Sequence, residues 1–298
     1  MVAETSGAPP YHPQPSTPRR KVPAGAWDTH FHIFESADRG AADPTAAYAP
    51  IDAPRSALDR MHARLGIDFG VFVQTTAVLA NYDRYIEQLR ADPRLRGVAV
   101  IDDDTTQAQL EALHWAGVRG ARFHFAAFIK KRPRMETFHR SVARIAEFGW
   151  HVVLHTEPSD LIELAPVFAK LPIPFVIDHF SHMRVSEGVE QPGFHRLLKL
   201  QQLERCWVKI SNSDRWSDVG PPDYSDAVPL GRALIRNGSD RLIWGTDWPH
   251  VLYRRPGDPG QPPPDDGELM NLLFSITDND DEIVRRILAE NPLRLYGR

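Results

Sequence analysis

The stretch Trp27-Asp28-Thr29-His30-Phe31-His32 lies at the end of the first predicted strand, residues 24–30. Side chains on a strand alternate between its two faces, so His30 and His32 point the same way. Their imidazoles can converge on one point, which suits a divalent metal ion, or a polarised carbonyl oxygen if no metal is present. An isolated His-x-His pair is more often solvated on a loop, so its meaning depends on the rest of the chain.

Seven further short apolar runs follow this stretch, and each is followed by a helical pattern or a long loop. The predicted strands are residues 24–30, 69–74, 97–101, 117–123, 151–155, 174–179, 206–210 and 241–247. Fully apolar short strands are typical of a parallel sheet buried on both faces. Eight strand–helix repeats predict a (β/α)₈ barrel, the TIM barrel. A doubly wound open sheet is the alternative, but no Gly-x-Gly-x-x-Gly turn follows the first strand.

Residues 24–298 are predicted to be one catalytic domain, because no interior linker divides the repeats. Residues 1–23 are rich in Pro, Ser and Thr, which predicts a tail that is disordered or draped over the surface, not a signal peptide. No stretch is long and apolar enough to span a bilayer, so we expect no membrane partner. The Pro-rich segment 255–265 is predicted to be a rigid surface loop.

Charge and cysteine content limit the class of protein further. Of the 298 residues, 42% are hydrophobic and 25% are charged, and the formal net charge is -4. No basic field argues for nucleic acid as a partner. Cys206 is the only cysteine, so no intrachain disulfide can form, and we expect a cytoplasmic protein. Monomer and homo-oligomer both stay open.

Polar residues cluster where the predicted strands end, which is where the active site of such a barrel lies. Each of five residues follows or closes a strand: His30, His32, His155, His179 and Asp247. One such histidine alone would more often be a structural residue. Four histidines and a carboxylate at strand ends favour a catalytic site.

These residue types predict chemistry on a carbonyl group. Asp247 could take a proton from water. His30, His32 and His155 with Asp247 would make a mononuclear zinc-type ligand set with one open position. His179 would then be free to donate or shuttle a proton. Without a metal, imidazoles and guanidiniums could polarise the carbonyl as fixed donors.

Two motifs together resemble the amidohydrolase superfamily. They are Asp28-Thr29-His30-Phe31-His32 on strand one and Gly245-Thr246-Asp247-Trp248-Pro249-His250 on strand eight, with histidines at the ends of strands five and six. The most similar branch is that of the lactonases, which includes the 2-pyrone-4,6-dicarboxylate lactonases. The resemblance extends from about Gly25 to Asn291-Pro292. It implies hydrolysis of an ester or amide in the barrel mouth, with Asp247 activating the water.

The resemblance also implies residues that bind an anionic substrate. Arg122, at the end of strand four, and Arg215, after strand seven, match substrate-binding arginines. A planar guanidinium can bind a carboxylate bidentately, although either arginine alone could equally form a structural salt bridge. Further substrate-contacting polar residues are expected at Tyr48, Thr76, Lys130 and His250.

Two departures from the family pattern bear on the metal. Arg122 stands where binuclear members have a bridging ligand, and its charge would repel a second ion, so we expect at most one. The dicarboxylate lactonases work without a metal and have a tyrosine at the end of strand five, where this chain has His155. One divalent metal, zinc or manganese, and metal-free catalysis are therefore both open.

The sequence thus predicts a hydrolase that opens a carboxylate- or sulfonate-bearing lactone, 2-pyrone-4,6-dicarboxylate-like or muconolactone-like, in the degradation of aromatic compounds. Asp247, His179, His30 and His32 are the predicted catalytic residues. A metal-dependent decarboxylase of an aromatic acid is the alternative on the same fold. A carboxylate-binding protein without catalysis is a third, but binding alone needs no base.

Overall fold

The computed structural model describes residues 11–78, 82–251 and 263–297. Within them, eight parallel strands form one sheet in the order β1 to β8, so the predicted (β/α)₈ barrel is confirmed. The strands are β1 (Trp27–Phe31), β2 (Phe69–Val73), β3 (Leu95–Ala99), β4 (Val118–His124), β5 (His151–His155), β6 (Phe175–Ile177), β7 (Cys206–Ile210) and β8 (Leu242–Trp244). Parts of the predicted tail 1–23 and of the segment 255–265, together with residues 79–81, lie outside the described residues.

Helices alternate with the strands around the barrel. They are α1 (Arg55–Leu65), α2 (Tyr82–Arg90), α3 (Gln107–Trp115), α4 (Met135–Ala146), α5 (Pro158–Phe168), α6 (Pro192–Gln201) and α7 (Val228–Asn237), followed by α8 (Asp266–Ile276), α9 (Asp281–Arg285) and α10 (Asn291–Tyr296). None of the helices in the described part of the chain is both long and apolar enough to cross a membrane.

Alternation along the strands explains why polar side chains reach the barrel interior. Val153, Val176 and Trp207 belong to an apolar cluster inside the barrel, which Trp27 and Tyr296 complete. Residues two positions further along a strand point the same way. This alternation turns His155, Asp178 and Lys209 into the barrel, above the apolar layer.

Asp28 fixes the backbone around the His-x-His pair. The register between β1 and β2 shifts between Asp28 and Phe31, as at a β-bulge. The Asp28 carboxylate accepts hydrogen bonds from the backbone N–H of His30 at 3.0 Å and of Thr246 at 2.9 Å. One buried carboxylate therefore holds the bulge and ties it to the segment after β8.

The barrel closes between β1 and the segment that follows β8. Thr29 Oγ1 donates to the carbonyl of Trp244 at 2.7 Å, and the Asp247 N–H donates to the carbonyl of His30 at 2.8 Å. A Cβ atom on Gly245 would lie only 2.7 Å from the backbone nitrogen of His30. This close approach explains the glycine of the strand-eight motif.

Strand β8 is shorter than predicted and ends at Trp244 instead of residue 247. Asp247 therefore lies in the following segment, with a left-handed φ of 61°. Hydrogen bonds from this segment to Asp28 and His30 replace further pairing with β7. The predicted third and sixth strands also differ at their ends, since β3 begins at Leu95 and β6 covers only Phe175–Ile177.

Residues 11–23 lie against α8 and the segment after β8. The backbone N–H of Ser16 donates to the carboxylate of Asp265 at 2.8 Å, and that of Arg19 donates to the side chain of Asn271 at 2.8 Å. The ring of Tyr11 lies 4.9 Å from that of Trp248. These contacts connect the N-terminal region to the neighbour of Asp247.

His151, at the start of β5, gives the fold a specific sensitivity to acid. Burial lowers the pKa of His151 to about 3, whereas a histidine in an unfolded chain has a pKa of about 6.5. Below about pH 6.5, the unfolded chain binds a proton that the folded chain does not bind. The free energy of unfolding therefore falls as the pH falls.

The variant His151→Gln removes this proton-binding group and tests its contribution. Between about pH 7.5 and 5.5, we expect the unfolding free energy of the parent to drop by about 1.4 kcal/mol more than that of the variant. Urea unfolding of both proteins at the two pH values measures the difference. The same pH dependence in parent and variant would contradict the prediction.

Candidate active site

A cavity of about 40 Å³ opens at the carboxyl ends of the strands, where the sequence predicted the site. Room for one water takes about 10–15 Å³, so this space holds about three waters. It is lined by His32, Tyr48, Thr75, Thr76, Arg122, His124, Phe128, Ile129, His155, His179, His182, Asn212, Arg215, Asp247 and Val251.

Asp247 is at the centre of the polar groups. Its Oδ1 lies 3.4 Å from His30 Nε2, 3.7 Å from His32 Nε2 and 3.7 Å from His179 Nε2. On the other side, its Oδ2 accepts a hydrogen bond from Asn212 Nδ2 at 2.7 Å and lies 3.5 Å from Arg215 Nη2. One carboxylate oxygen thus faces three imidazoles while amide and guanidinium groups hold the other.

The Asp247 carboxyl is ionised at neutral pH. Burial alone would raise its pKa, but His179, His30 and the Arg215 guanidinium outweigh burial and hold the pKa of Asp247 below its usual value. Burial lowers the pKa of His32 to about 3 and also lowers the pKa of His30 and His179. The site therefore presents a carboxylate base beside neutral imidazoles.

Neighbouring groups orient two of these imidazoles. His32 Nδ1 donates to the carbonyl of Val73 at 2.7 Å, which leaves the lone pair of its Nε2 towards Asp247. His179 Nε2 accepts from Arg122 Nη2 at 3.1 Å, and its Nδ1 donates to Ser211 Oγ at 2.7 Å. His179 follows β6 in a left-handed turn, with φ of 52° to 54° from residue 179 to residue 182.

A buried ion network lies beneath the histidines. Asp178 Oδ1 lies 2.9 Å from Lys209 Nζ, and Asp178 Oδ2 lies 3.0 Å from Arg122 Nη2. Lys209 Nζ is also 3.1 Å from His30 Nδ1. Burial lowers the pKa of Lys209, although Asp178 opposes the shift. Through Lys209 and Arg122, the network connects the Asp178 carboxylate to His30 and His179, two of the histidines around Asp247.

Two overlapping groups of side chains could hold a metal ion. They are His30, His32 and Asp247, and His30, Asp178 and His179, each with donor atoms within 4.8 Å of one another. Both offer two imidazoles and a carboxylate, but the first fits a divalent ion better, because Asp178 is already paired with Lys209 and Arg122. Moreover, His30 Nε2 is buried and lacks a hydrogen-bond partner among the described residues. The bond from His32 to the Val73 carbonyl is the second-shell support that ligating histidines normally have.

His155, the remaining member of the ligand set expected from sequence, lies outside both groups. Its Nδ1 is 2.9 Å from His124 Nδ1, and its Nε2 is 2.7 Å from His182 Nε2. Both ring nitrogens of His155 are therefore engaged by other histidines. His155 still lines the cavity.

Of the predicted substrate-contacting residues, four line the cavity, one is exposed to solvent and one is buried outside the cavity wall. Arg122, Arg215, Tyr48 and Thr76 line the cavity, and the Tyr48 hydroxyl lies 2.5 Å from Thr75 Oγ1. Lys130 is exposed and is not among the lining residues.

His250 is buried, and its Nε2 lies 3.0 Å from Asp266 Oδ1 at the start of α8. Burial would lower the pKa of His250, but the Asp266 carboxylate raises it more. This side chain is also not among the cavity-lining residues, and the Asp266 pair directs it towards α8.

Several residues of the site were not among those selected from sequence, including His124, Asp178, His182, Lys209 and Asn212. Lys209 had a visible signal, since a lysine in the middle of the apolar strand Cys206–Ile210 needs a buried partner. His182 had none, because its position depends on the left-handed turn after β6.

Comparisons with known proteins agree with this geometry. The amidohydrolase family model matches residues 27–298. A 2-pyrone-4,6-dicarboxylate hydrolase from Comamonas testosteroni is 34% identical over 96% of this chain and 94% of its own. A 4-sulfomuconolactone hydrolase from Hydrogenophaga intermedia is 35% identical over 93% of this chain and 90% of its own.

A solved structure supports the same assignment. It is a "probable 2-pyrone-4,6-dicarboxylic acid hydrolase" from Acinetobacter baumannii with citric acid bound, 25% identical, with a TM-score of 0.76. The match covers 92% of this chain and 100% of that one. The resemblance inferred from the two motifs is therefore confirmed, and this chain belongs to the amidohydrolase family.

Proposed function

We propose that this protein is a hydrolase that opens a lactone bearing carboxylate or sulfonate groups, in the degradation of aromatic compounds. The observation that carries the proposal is the ionised Asp247 facing three neutral imidazoles, with Arg122 and Arg215 lining the same cavity. The relatives named for 2-pyrone-4,6-dicarboxylate and 4-sulfomuconolactone support it, since both compounds are lactones with acidic groups.

In the proposed reaction, Asp247 takes a proton from a water molecule as that water attacks the lactone carbonyl. A bond forms between the water oxygen and the carbonyl carbon, and the bond from that carbon to the ring oxygen breaks. Asp247 then returns the proton to the departing ring oxygen. His30 Nε2, 3.4 Å from Asp247 Oδ1, would face the carbonyl oxygen as it gains charge, whereas the Nε2 atoms of His32 and His179 carry no proton.

The imidazoles can act on the carbonyl in two ways. Zinc or manganese, held by His30, His32 and Asp247, would polarise the carbonyl as a Lewis acid. Alternatively, the Lys209 ammonium donates to His30 Nδ1, and His30 Nε2 then carries a proton that it can donate to the carbonyl oxygen. Elemental analysis, with activity measured before and after chelation, distinguishes the two.

The guanidiniums would hold the acidic groups of the substrate. Arg122 and Arg215 are both largely buried, and a charge-assisted hydrogen bond in such a site is strong. Tyr48 and Thr76 are further proposed contacts on the cavity wall. Lys130 and His250 would reach the substrate only if their surroundings change from the described arrangement.

A panel of three lactones tests the proposal: 2-pyrone-4,6-dicarboxylate, 4-sulfomuconolactone and unsubstituted 2-pyrone. We expect kcat/KM for at least one acidic lactone to exceed that for the neutral one by about 10²-fold, because charge-assisted bonds to arginine are lost. Equal turnover of neutral and acidic lactones would contradict the anionic substrate class. No hydrolysis of any lactone would contradict the proposed function.

A further inference from the structure

Three histidines of the cavity wall and the neighbouring Trp216 form a hydrogen-bonded series of side chains that ends at His124. Trp216 Nε1 lies 3.5 Å from His182 Nδ1, and His182 Nε2 lies 2.7 Å from His155 Nε2. His155 Nδ1 lies 2.9 Å from His124 Nδ1. The three imidazoles are buried, and burial lowers the pKa of each, so all three are neutral at pH 7.

These hydrogen bonds fix which nitrogen of each imidazole carries its single proton. An indole N–H can only donate, so Trp216 is the donor and His182 Nδ1 the acceptor. The proton of His182 is therefore on Nε2 and is donated to His155 Nε2. By the same reasoning, His155 donates its Nδ1–H to His124 Nδ1. His124 is left with its proton on Nε2.

His124 Nε2 is buried and has no hydrogen-bond partner in the part of the chain that the structure describes. Arg122 Nε, two positions earlier on β4, is buried and unpartnered in the same sense. Alternation on a strand puts these two side chains on one face. Two buried N–H donors without a partner among the described residues thus lie on one face of β4, although native proteins normally satisfy such groups.

The two residues that carry these donors border two cavities. Arg122 and His124 line the catalytic cavity of about 40 Å³ and also an adjoining cavity of about 400 Å³. The adjoining cavity continues towards Gln74, Asp102 and Lys131. A lactone ring with acidic substituents needs more room than the three waters that the catalytic cavity holds.

We propose that His124, through its Nε2–H and beside Arg122, binds an oxygen of the substrate's carboxylate or sulfonate group, and that the substrate extends into the adjoining cavity. This inference rests on the proposed lactonase function for its substrate class. Trp216, His182 and His155 are positioning residues, because they keep the proton of His124 on Nε2. Because indole does not release its proton near neutral pH, these side chains hold the Nε2–H of His124 in place as a hydrogen-bond donor. They do not deliver protons to the substrate.

Binding of benzene-1,3-dicarboxylate, which has no ester to hydrolyse, tests the proposal without relying on turnover. We expect His124→Phe to weaken binding about 10- to 100-fold, the loss of one hydrogen bond to a charged group. His124→Gln retains an N–H near the position of Nε2 and should bind within about threefold of the parent. His139→Phe, on the exposed face of α4, is the matched control and should bind like the parent. Titration calorimetry measures all four affinities.

The nitrogen chemical shifts of labelled histidines test the proton positions directly. We expect His124 to be protonated at Nε2 and unprotonated at Nδ1. In the folded Trp216→Phe variant, a smaller fraction of His124 should carry its proton on Nε2. A parent protein with His124 protonated at Nδ1, or undiminished binding by folded His124→Phe, would overturn the proposal. If both measurements agree with it but no lactone is hydrolysed, only the proposed function fails.

Discussion

Asp247→Asn is expected to lower kcat for lactone hydrolysis by about 10²- to 10⁴-fold, the usual contribution of a general base. An amide cannot take the proton of the attacking water. It also loses the negative charge that faces His30, His32 and His179. Because the Asn212 and Arg215 contacts are on the other carboxylate oxygen, the side chain can keep its position.

Asp160→Asn provides the control for this substitution. Asp160 is a buried carboxylate in the first turn of α5, paired with Arg132 at 3.1 Å, and it is not among the residues that line the cavity. We expect it to keep parental kcat. Near-normal turnover by Asp247→Asn, with a parental urea midpoint, would exclude Asp247 as the base.

Lys209→Met is expected to lower the free energy of unfolding by about 3–5 kcal/mol, the usual cost of removing one member of a buried ion pair. Lys209 and Asp178 are both completely buried, 2.9 Å apart. Methionine has a similar length but leaves the Asp178 carboxylate with Arg122 alone. Urea unfolding of parent and variant measures the loss.

Three further variants show whether the buried charge is the cause. Arg20→Met removes an ion pair whose side chains are 36% and 87% exposed, and should cost less than about 1 kcal/mol. Asp178→Asn alone completes the cycle with the double variant Lys209→Met with Asp178→Asn, which removes both charges and should recover part of the lost stability. If the losses of the two single variants simply add in the double variant, the pair makes no coupled contribution.

The barrel and the position of the site could be predicted because both depend on local patterns. Eight apolar runs separated by helical patterns define parallel strands, and the ends of parallel strands meet at one edge. His30, His32, His179 and Asp247 were found this way, and the structure places the three histidines around the Asp247 carboxylate. Asp247 was identified correctly as a neighbour of strand eight, although it follows the strand instead of ending it.

The remaining contacts depend on tertiary geometry that no local pattern encodes. His155 has the right residue type and strand position for a metal ligand, yet His124 and His182 engage both of its nitrogens. Lys130 follows the same strand-end region as Arg122 but is exposed, because it ends a short 3₁₀ turn with a left-handed φ of 58°. Which of several polar residues face the cavity is decided by such turns.

The most direct test follows base uptake and carbon dioxide release in one sample during turnover of 2-pyrone-4,6-dicarboxylate. Opening of the lactone by water predicts one new carboxylic acid, and therefore one equivalent of base, for each molecule converted, with no carbon dioxide. Conversion with carbon dioxide release and no base uptake would contradict lactone hydrolysis and indicate a decarboxylase on the same barrel.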